Sequence, residues 1–94
     1  MTGKERAYLR SLAQKMDPVI YVGKEGITEA LVNDANMALT ARELVKGSVG
    51  RNSDEDVRDV IEELCDILDA EPIQVIGRKF VIYRKKEEDS KYGI

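Results

Sequence analysis

The alternation of apolar and polar residues predicts that this chain opens with a helix and then a strand. In residues 3–16, apolar side chains recur at helical spacing, and Thr2-Gly3-Lys4-Glu5 has the S/T-x-x-E spacing of a capping box. Asp17-Pro18 should end this helix, because proline disfavours helical backbone in the residue before it. Residues 19–22 are β-branched and aromatic, which is typical of a buried strand.

The residue pattern in the middle of the chain predicts a second helix, a second strand and a third helix. Thr28 is placed to cap a helix that ends near Arg42. Residues 44–49 have the composition of a strand, weakened in its regularity by Gly47, and Ser53 is predicted to cap the third helix. Apolar residues form one stripe of that helix and acidic residues the opposite side. The stripe comprises Val57, Val60, Ile61, Leu64, Ile67 and Leu68, and the acidic side comprises Glu55, Asp59, Glu62, Asp66 and Asp69.

The last part of the chain predicts an antiparallel hairpin. Its strands are residues 73–76 and 80–84, joined around Gly77-Arg78-Lys79. The order α-β-α-β-α-β-β favours a right-handed crossover between parallel strands, with the hairpin adding antiparallel pairing. We therefore expect one α+β domain, similar to an α/β sandwich, with helices packed on both faces of a mixed four-stranded sheet. Residues 85–94 are too polar to bury and are predicted to form a flexible tail.

Length and composition limit the chain to one domain. It has 94 residues, of which 43% are hydrophobic and 35% charged, so it should fold and dissolve readily. Its uninterrupted apolar runs, 19–22 and 80–83, are far shorter than the roughly 20 residues that span a bilayer. The first residues do not have the pattern of a secretory signal. We therefore expect a cytoplasmic protein, without a membrane partner, that acts as a monomer.

The absence of histidine removes many enzyme classes. Histidine is the usual general base of serine and cysteine hydrolases and a common metal ligand, and this sequence contains none. Cys65 is the single cysteine, so no internal disulfide or cysteine-based zinc cluster can form. We interpret Cys65 as a packing residue, and we expect no catalytic residue, no metal site and no cofactor.

The formal charge of −3 conceals an uneven distribution. Residues 52–71 carry nine acids against Arg58 alone, whereas residues 72–94 carry six bases against three acids. Residues 1–51 have eight bases and six acids. Because nucleic-acid binding depends on local rather than net charge, an acidic chain of this kind can still present one basic surface.

The segment 22–28 has the strongest functional pattern, a G-x-x-G loop between a strand and a helix. Gly23 and Gly26 allow a ligand to approach the backbone, while Lys24 adds a positive charge beside the start of the following helix. The GXXG loop of KH domains holds a nucleic-acid backbone in this way. Two glycines that only close a strand-to-helix connection are the alternative, and the four-residue pattern taken without context favours that alternative.

Four separated motifs resemble one family. They are Pro18–Ile20 followed by Gly23–Thr28, then Glu43–Lys46, Gln74–Arg78 and Val81–Arg84, with Leu9–Ala13 also fitting. Over residues 2–84 the chain resembles the bacterial YhbY family, the stand-alone form of the CRM RNA-binding domain. The resemblance implies a CRM-like domain at 1–84 that binds ribosomal RNA in precursors of the large ribosomal subunit. It also implies a fold similar to the C-terminal domain of bacterial translation initiation factor three, with an added N-terminal helix.

The resemblance also implies which residues contact RNA. The G-x-x-G role falls on Gly23, Lys24, Glu25 and Gly26. Positions that are usually basic in such proteins hold Arg10, Lys46, Arg78 and Arg84, which makes them candidate phosphate contacts. Glu25 departs from the pattern, because its charge opposes a phosphate unless it points away or pairs with Lys24. Together with the acidic composition, it predicts modest affinity and a shallow dependence on salt.

Several features allow a second interpretation. The bases between Arg78 and Lys86 can bind RNA or simply keep a hairpin edge solvated. Tyr21 and Tyr83 can stack on bases, but we interpret both as buried strand residues. The acidic side of the third helix supports an alternative function, a protein-interaction adaptor that binds a basic partner. The function predicted first is a non-catalytic RNA-binding protein.

Overall fold

Three helices and four strands form the part of the protein that the computed structural model describes, residues 1–51, 56–87, 90, 92 and 93. The elements are α1 (Gly3–Ala13), β1 (Ile20–Val22), α2 (Glu29–Arg42), β2 (Leu44–Val49), α3 (Val57–Leu68), β3 (Glu71–Ile76) and β4 (Lys79–Tyr83). Their order is the predicted one. The first helix is shorter than the predicted 3–16, because the Met16 amide bonds to the Ala13 carbonyl and tightens the chain into a turn.

The strands form one mixed sheet in the order β1-β2-β4-β3. β1 pairs with β2 in parallel, and β4 pairs antiparallel with both β2 and β3, which confirms the predicted sheet and hairpin. α2 connects the two parallel strands, as a crossover between parallel neighbours requires. The last strand of the chain therefore lies inside the sheet, between β2 and β3.

Helices cover both faces of the sheet, but to different extents. α2 and α3 pack on one face, where Val45 and Ile82 belong to the larger core cluster. α1 packs on the other face, where Leu9 and Ala13 meet Leu44 and other buried residues in a smaller cluster. Because α1 ends at Ala13, it covers only part of its face.

The capping residues of the helices satisfy backbone donors as the sequence indicates. Thr2 and Glu5 form the predicted reciprocal capping box, and its hydrogen bonds lower the pKa of the Glu5 carboxyl. The Thr28 hydroxyl accepts a hydrogen bond from the Leu31 amide at 3.1 Å, which confirms the predicted start of α2. The cap of α3 is Asp56, whereas the predicted cap, Ser53, lies outside the described residues.

One residue that was predicted to lie in the buried apolar stripe of α3 is exposed in the structure. Ile67 is 52% exposed, and Cys65 is buried instead, with 4% of its surface accessible. Both residues lie at the margins of the stripe, on opposite sides. The side of α3 that carries Cys65 faces the sheet, and the side that carries Ile67 faces solvent. Cys65 is therefore a packing residue, as predicted.

Gly47 is required by the packing of the two central strands. It pairs directly with Phe80 on β4, and a Cβ atom at Gly47 would stand only 2.2 Å from the Phe80 Cζ atom. The Phe80 ring thus occupies the space that a side chain at this position would need. The expected irregularity of β2 is wrong, since its pairing with β4 runs without a break from Leu44 to Ser48.

Glu43 links the end of α2 to the C-terminal segment. This fully buried carboxylate accepts hydrogen bonds from the Tyr83 hydroxyl at 3.4 Å and the Ser90 hydroxyl at 2.8 Å. The Tyr92 ring meets the Tyr83 ring edge to face at 6.1 Å, and burial raises the pKa of both phenols. Ser90 and Tyr92 therefore contact the body of the domain, and the flexibility of 85–94 as a whole stays a prediction.

The contact between Gly47 and Phe80 predicts that Gly47→Ala is destabilising. The added methyl group would overpack the core and lower the free energy of unfolding by about 1–3 kcal/mol, measured by urea denaturation. Ser48→Ala, on the opposite side of the same strand, should change it by less than about 0.5 kcal/mol. In a Phe80→Leu background the effect of Gly47→Ala should shrink, because the ring is gone. Equal stability of Gly47→Ala and the unmodified protein would contradict this account.

The environment of Cys65 predicts an unreactive thiol. Burial, with a smaller effect of Asp66 and Glu71, raises its pKa from 9.0 to about 12, and the thiolate is the reactive form. Reaction with Ellman's reagent at pH 8 should be at least about a hundredfold slower in the native protein than in denaturant. Since the unfolded thiol releases its proton first, native stability should fall as the pH rises above 9.0, and this loss should be absent in Cys65→Ala. Rapid native labelling would disprove the assignment.

Candidate nucleic-acid interface

Three connections meet at one edge of the sheet. They are the loop of residues 23–28 after β1, the chain that leaves β2 at Gly50, and the turn Gly77-Arg78 between β3 and β4. Parallel pairing of β1 with β2, and antiparallel pairing of β4 with β2, place all three on the same side. The Gly50 amide donates to the Val22 carbonyl at 2.8 Å, so the second connection is held against the start of the loop.

The predicted G-x-x-G segment forms a tight turn with an open outer surface. The Gly26 amide donates to the Gly23 carbonyl at 3.0 Å, and Gly26 has a φ of 72°, which glycine adopts without strain. Lys24 and Glu25 occupy the tip of the turn, and both are exposed. The turn borders a shallow depression of about 340 Å³, lined by Tyr21, Gly23, Lys24, Glu25, Gly26, Thr28 and Leu31.

Arg78 lies beside the base of this loop. Its Nη1 atom donates to the Gly50 carbonyl at 2.8 Å, and Gly50 is the residue that bonds to Val22. This single bond leaves other guanidinium donors for a ligand. Arg51 follows Gly50 and is exposed. It was not among the residues predicted to contact RNA, because nothing in the local sequence indicates that β2 ends next to the loop.

Lys46 lies on the face of the sheet that α1 partly covers. It is half-buried and borders a pocket of about 300 Å³ near the C-terminal end of α1. Lys79 is exposed and lines the same pocket. The structure therefore brings Lys79 and Arg78 to the end of the sheet where the loop lies, and it places Lys46 on the same face nearer the middle of the sheet.

Tyr21 is exposed, contrary to the interpretation from sequence. It alternates with the buried Ile20 and Val22, so it points to the α1 side, where α1 is too short to reach it, and 62% of its surface is accessible. An ideal Cβ built on Gly23 would lie 3.4 Å from the Tyr21 Cε2 atom, which places the ring against the loop. Tyr83, in contrast, is buried as predicted.

Arg84 lies away from this group, at the opposite edge of the sheet. Its guanidinium donates to the Leu68 carbonyl, to the carbonyl and side chain of Asn36 and to the Thr40 hydroxyl, at distances of 2.8–3.1 Å. Arg84 thereby connects the end of β4 to α2 and α3. Arg10 is exposed on α1, one helical turn after Arg6, whose guanidinium bonds to the Pro72 carbonyl.

Acidic groups are concentrated on the other layer of the molecule. The acids Asp59, Glu62 and Asp66 are exposed on α3, which packs on the sheet face opposite Tyr21 and Lys46. In the described ranges, no three acidic or cysteine side chains are placed to hold a metal ion. No helix within the same ranges is long and apolar enough to cross a membrane.

The protein is a small single-domain α+β protein, and a relative of known structure shares its fold. The solution structure of the hypothetical protein SAV1595 from Staphylococcus aureus is similar to this structure, with a TM-score of 0.82 and 40% sequence identity, covering 96% of this chain and 94% of that one. The profile of the CRS1/YhbY (CRM) domain matches residues 1–84. The chain therefore belongs to the CRS1/YhbY (CRM) domain family, which confirms the predicted resemblance.

Two relatives have names that refer to RNA. The chain is 38% identical over 89 residues to the probable RNA-binding protein YqeI of Bacillus subtilis, covering 95% of this chain and 93% of the relative. It is 34% identical over 94 residues to the probable RNA-binding protein MJ0652 of Methanocaldococcus jannaschii, covering 98% of this chain and 69% of the relative. The similarity thus extends over nearly the whole chain.

The bonds of Arg84 predict a stabilising role. Arg84→Met should lower the free energy of unfolding by about 1–3 kcal/mol, because it leaves the Leu68 and Asn36 carbonyls without this donor. Arg10→Met, at an exposed position, should change stability by less than about 0.5 kcal/mol. Both values follow from denaturation in guanidinium chloride. An Arg84→Met variant as stable as Arg10→Met would show that these bonds contribute little.

Proposed function

We propose that this protein binds ribosomal RNA during assembly of the large ribosomal subunit, with the loop of residues 23–26 holding the RNA backbone. The observation that carries the proposal is the exposed G-x-x-G turn, with Arg78 hydrogen-bonded beside its base. The relatives named as probable RNA-binding proteins support RNA as the ligand. The resemblance to stand-alone CRM proteins supports the ribosomal target.

The chemistry of the edge suits a phosphodiester backbone. Gly23 and Gly26 carry no side chain that would keep a phosphate from the turn, and Lys24 supplies a mobile positive charge at its tip. Arg78 offers fixed donors at the base of the loop, and a guanidinium suits the oxygens of a phosphate. Lys46 extends the positive charge onto the sheet face. In this proposal Glu25 points away from the RNA.

The remaining candidates have secondary roles in this proposal. Arg10 is an outer phosphate contact on α1, while the bonds of Arg84 to α2 and α3 favour a role in holding the fold. Phosphate contacts carry no sequence information, so the protein should recognise RNA mainly by shape. Because few cations are involved, affinity should fall only gently with salt. Binding requires no catalytic step.

The proposal predicts that the loop variant Lys24→Glu/Gly26→Asp loses RNA binding. Two negative charges and a new side chain at the turn should weaken affinity for labelled large-subunit ribosomal RNA fragments at least about tenfold, measured by fluorescence anisotropy at several salt concentrations. The circular dichroism spectrum should be unchanged, because both positions lie on an outer turn and aspartate is one of the residues that can adopt the positive φ of Gly26. Unaltered affinity would rule out the loop as the RNA-binding element.

A charge-reversal variant on α3 provides the matched control. Glu62→Lys/Asp66→Lys changes two exposed acids on the other layer and should leave RNA affinity intact or increase it. An adaptor that uses this acidic surface would behave in the opposite way, retaining its basic partner in the loop variant and losing it in the α3 variant. Loss of RNA binding in the α3 variant would therefore contradict the proposed interface.

A further inference from the structure

We propose that the part of the sheet face left open by α1 binds unpaired RNA bases, with Tyr21 stacking on the base nearest the loop. This open sheet face comprises Tyr21, Lys46, Ser48, Ile76 and Lys79. The inference rests on the proposed function, because the loop would hold the backbone of the same RNA strand. It adds a second contact region and specifies single-stranded RNA as the ligand.

Four of these residues form one row across all four strands. Tyr21 pairs with Ser48, Ser48 with Lys79, and Lys79 with Ile76 in the strand register. Their side chains share a face, since each lies on the side opposite the larger core cluster. With a strand spacing of about 4.8 Å, the row is roughly 14 Å long. Four-stranded sheets of this width bind two or three bases in other RNA-binding domains.

Tyr21 is placed to stack on a base at the loop end of the row. Its ring is 62% exposed, lies against Gly23, and lines the same depression as Lys24 and Gly26. A nucleotide whose phosphate lies on the turn would therefore have its base within reach of the ring. Tyr21 belongs to neither core cluster, and an exposed ring is what a base needs for stacking.

The remainder of the row fits a single strand that continues from the loop. Lys79 in the row and Lys46 beside it supply positive charge, Ile76 is 63% exposed and apolar, and the row contains no acidic residue. Next to the row lies the pocket of about 300 Å³ at the end of α1, which is lined by Ile76 and Lys79 of the row and also by Gln14 and Gln74. Amides can donate to and accept from the edges of a base. Charge and shape along this path suit a polyanion with flat apolar groups.

Unpaired RNA is favoured over a duplex because stacking requires a free base face. In a duplex the base faces are covered by their neighbours, so only the backbone could meet this surface. Removal of the Tyr21 ring should therefore weaken binding of a single strand and leave duplex binding unaffected. The loop variant should weaken both, since both ligands present phosphates.

The test compares Tyr21→Val with Tyr21→Phe and Tyr8→Leu. Valine preserves strand propensity but has no ring, phenylalanine keeps the ring, and Tyr8→Leu removes an exposed ring from α1. Fluorescence anisotropy with labelled octauridine should show an approximately tenfold loss for Tyr21→Val and changes within about twofold for the two others. With an RNA duplex of about 16 base pairs, Tyr21→Val should bind like the unmodified protein.

A photochemical readout tests the contact directly. Octauridine that contains 5-iodouridine, irradiated in complex with the unmodified protein, should crosslink to the peptide that contains Tyr21. Crosslinking at Tyr8 instead, or octauridine affinity unchanged in Tyr21→Val, would overturn the inference while leaving the loop proposal intact. Equal losses for duplex and single strand would also overturn it. If the Lys24→Glu/Gly26→Asp variant binds both RNAs like the unmodified protein while Tyr21→Val loses affinity for octauridine, the loop proposal fails and the sheet-face contact stands. If the unmodified protein binds neither RNA, both proposals are overturned.

Discussion

The positions of Arg78 and Lys79 relative to the loop, and the shape of the open sheet face, depend on the register of the two central strands, and the Phe80 ring over Gly47 favours that register. These residues face each other directly, and the ring fills the space that any other side chain at Gly47 would occupy. A shift of one residue would place Phe80 opposite a position with a Cβ atom and turn the buried side chains of the strand to the other face. This pairing, together with the parallel pairing of β1 with β2, gives the edge with the loop and the row that begins at Tyr21.

The length of α1 divides its side of the sheet into a core and an open surface. The capping box fixes the start of the helix, and the turn at Met16 stops it after Ala13. Leu9 and Ala13 bury one part of the face, and the rest meets solvent. A longer helix would bury more apolar area, which favours stability, but it would also cover the surface next to the loop. The fold thus combines a small second core with an accessible sheet.

Acidic and basic side chains lie on different layers of the molecule, so a chain with a net negative charge can still bind RNA, as we propose. The acidic side chains of α3 lie on the layer that covers the opposite face, while Lys24, Arg78 and Lys79 lie at the loop end of the sheet and Lys46 lies on its open face. At physiological ionic strength, exposed charges more than about 8 Å apart are largely screened from each other. The local potential at the edge is therefore determined mainly by its own residues, and the net charge of −3 describes neither layer.

The sequence by itself determined the order of the elements, the caps at Thr2 and Thr28, and the loop at 23–26, because each of these depends on residues close together in the chain. The family was also recognisable, since its motifs are short contiguous segments. Only the tertiary structure decided that Tyr21 is exposed, that Arg84 bonds to α2 and α3, and that β2 is regular at Gly47. These outcomes depend on where a distant helix ends, which carbonyls a folded chain brings near, and which ring lies opposite a glycine. None of these is visible in a local pattern of residues.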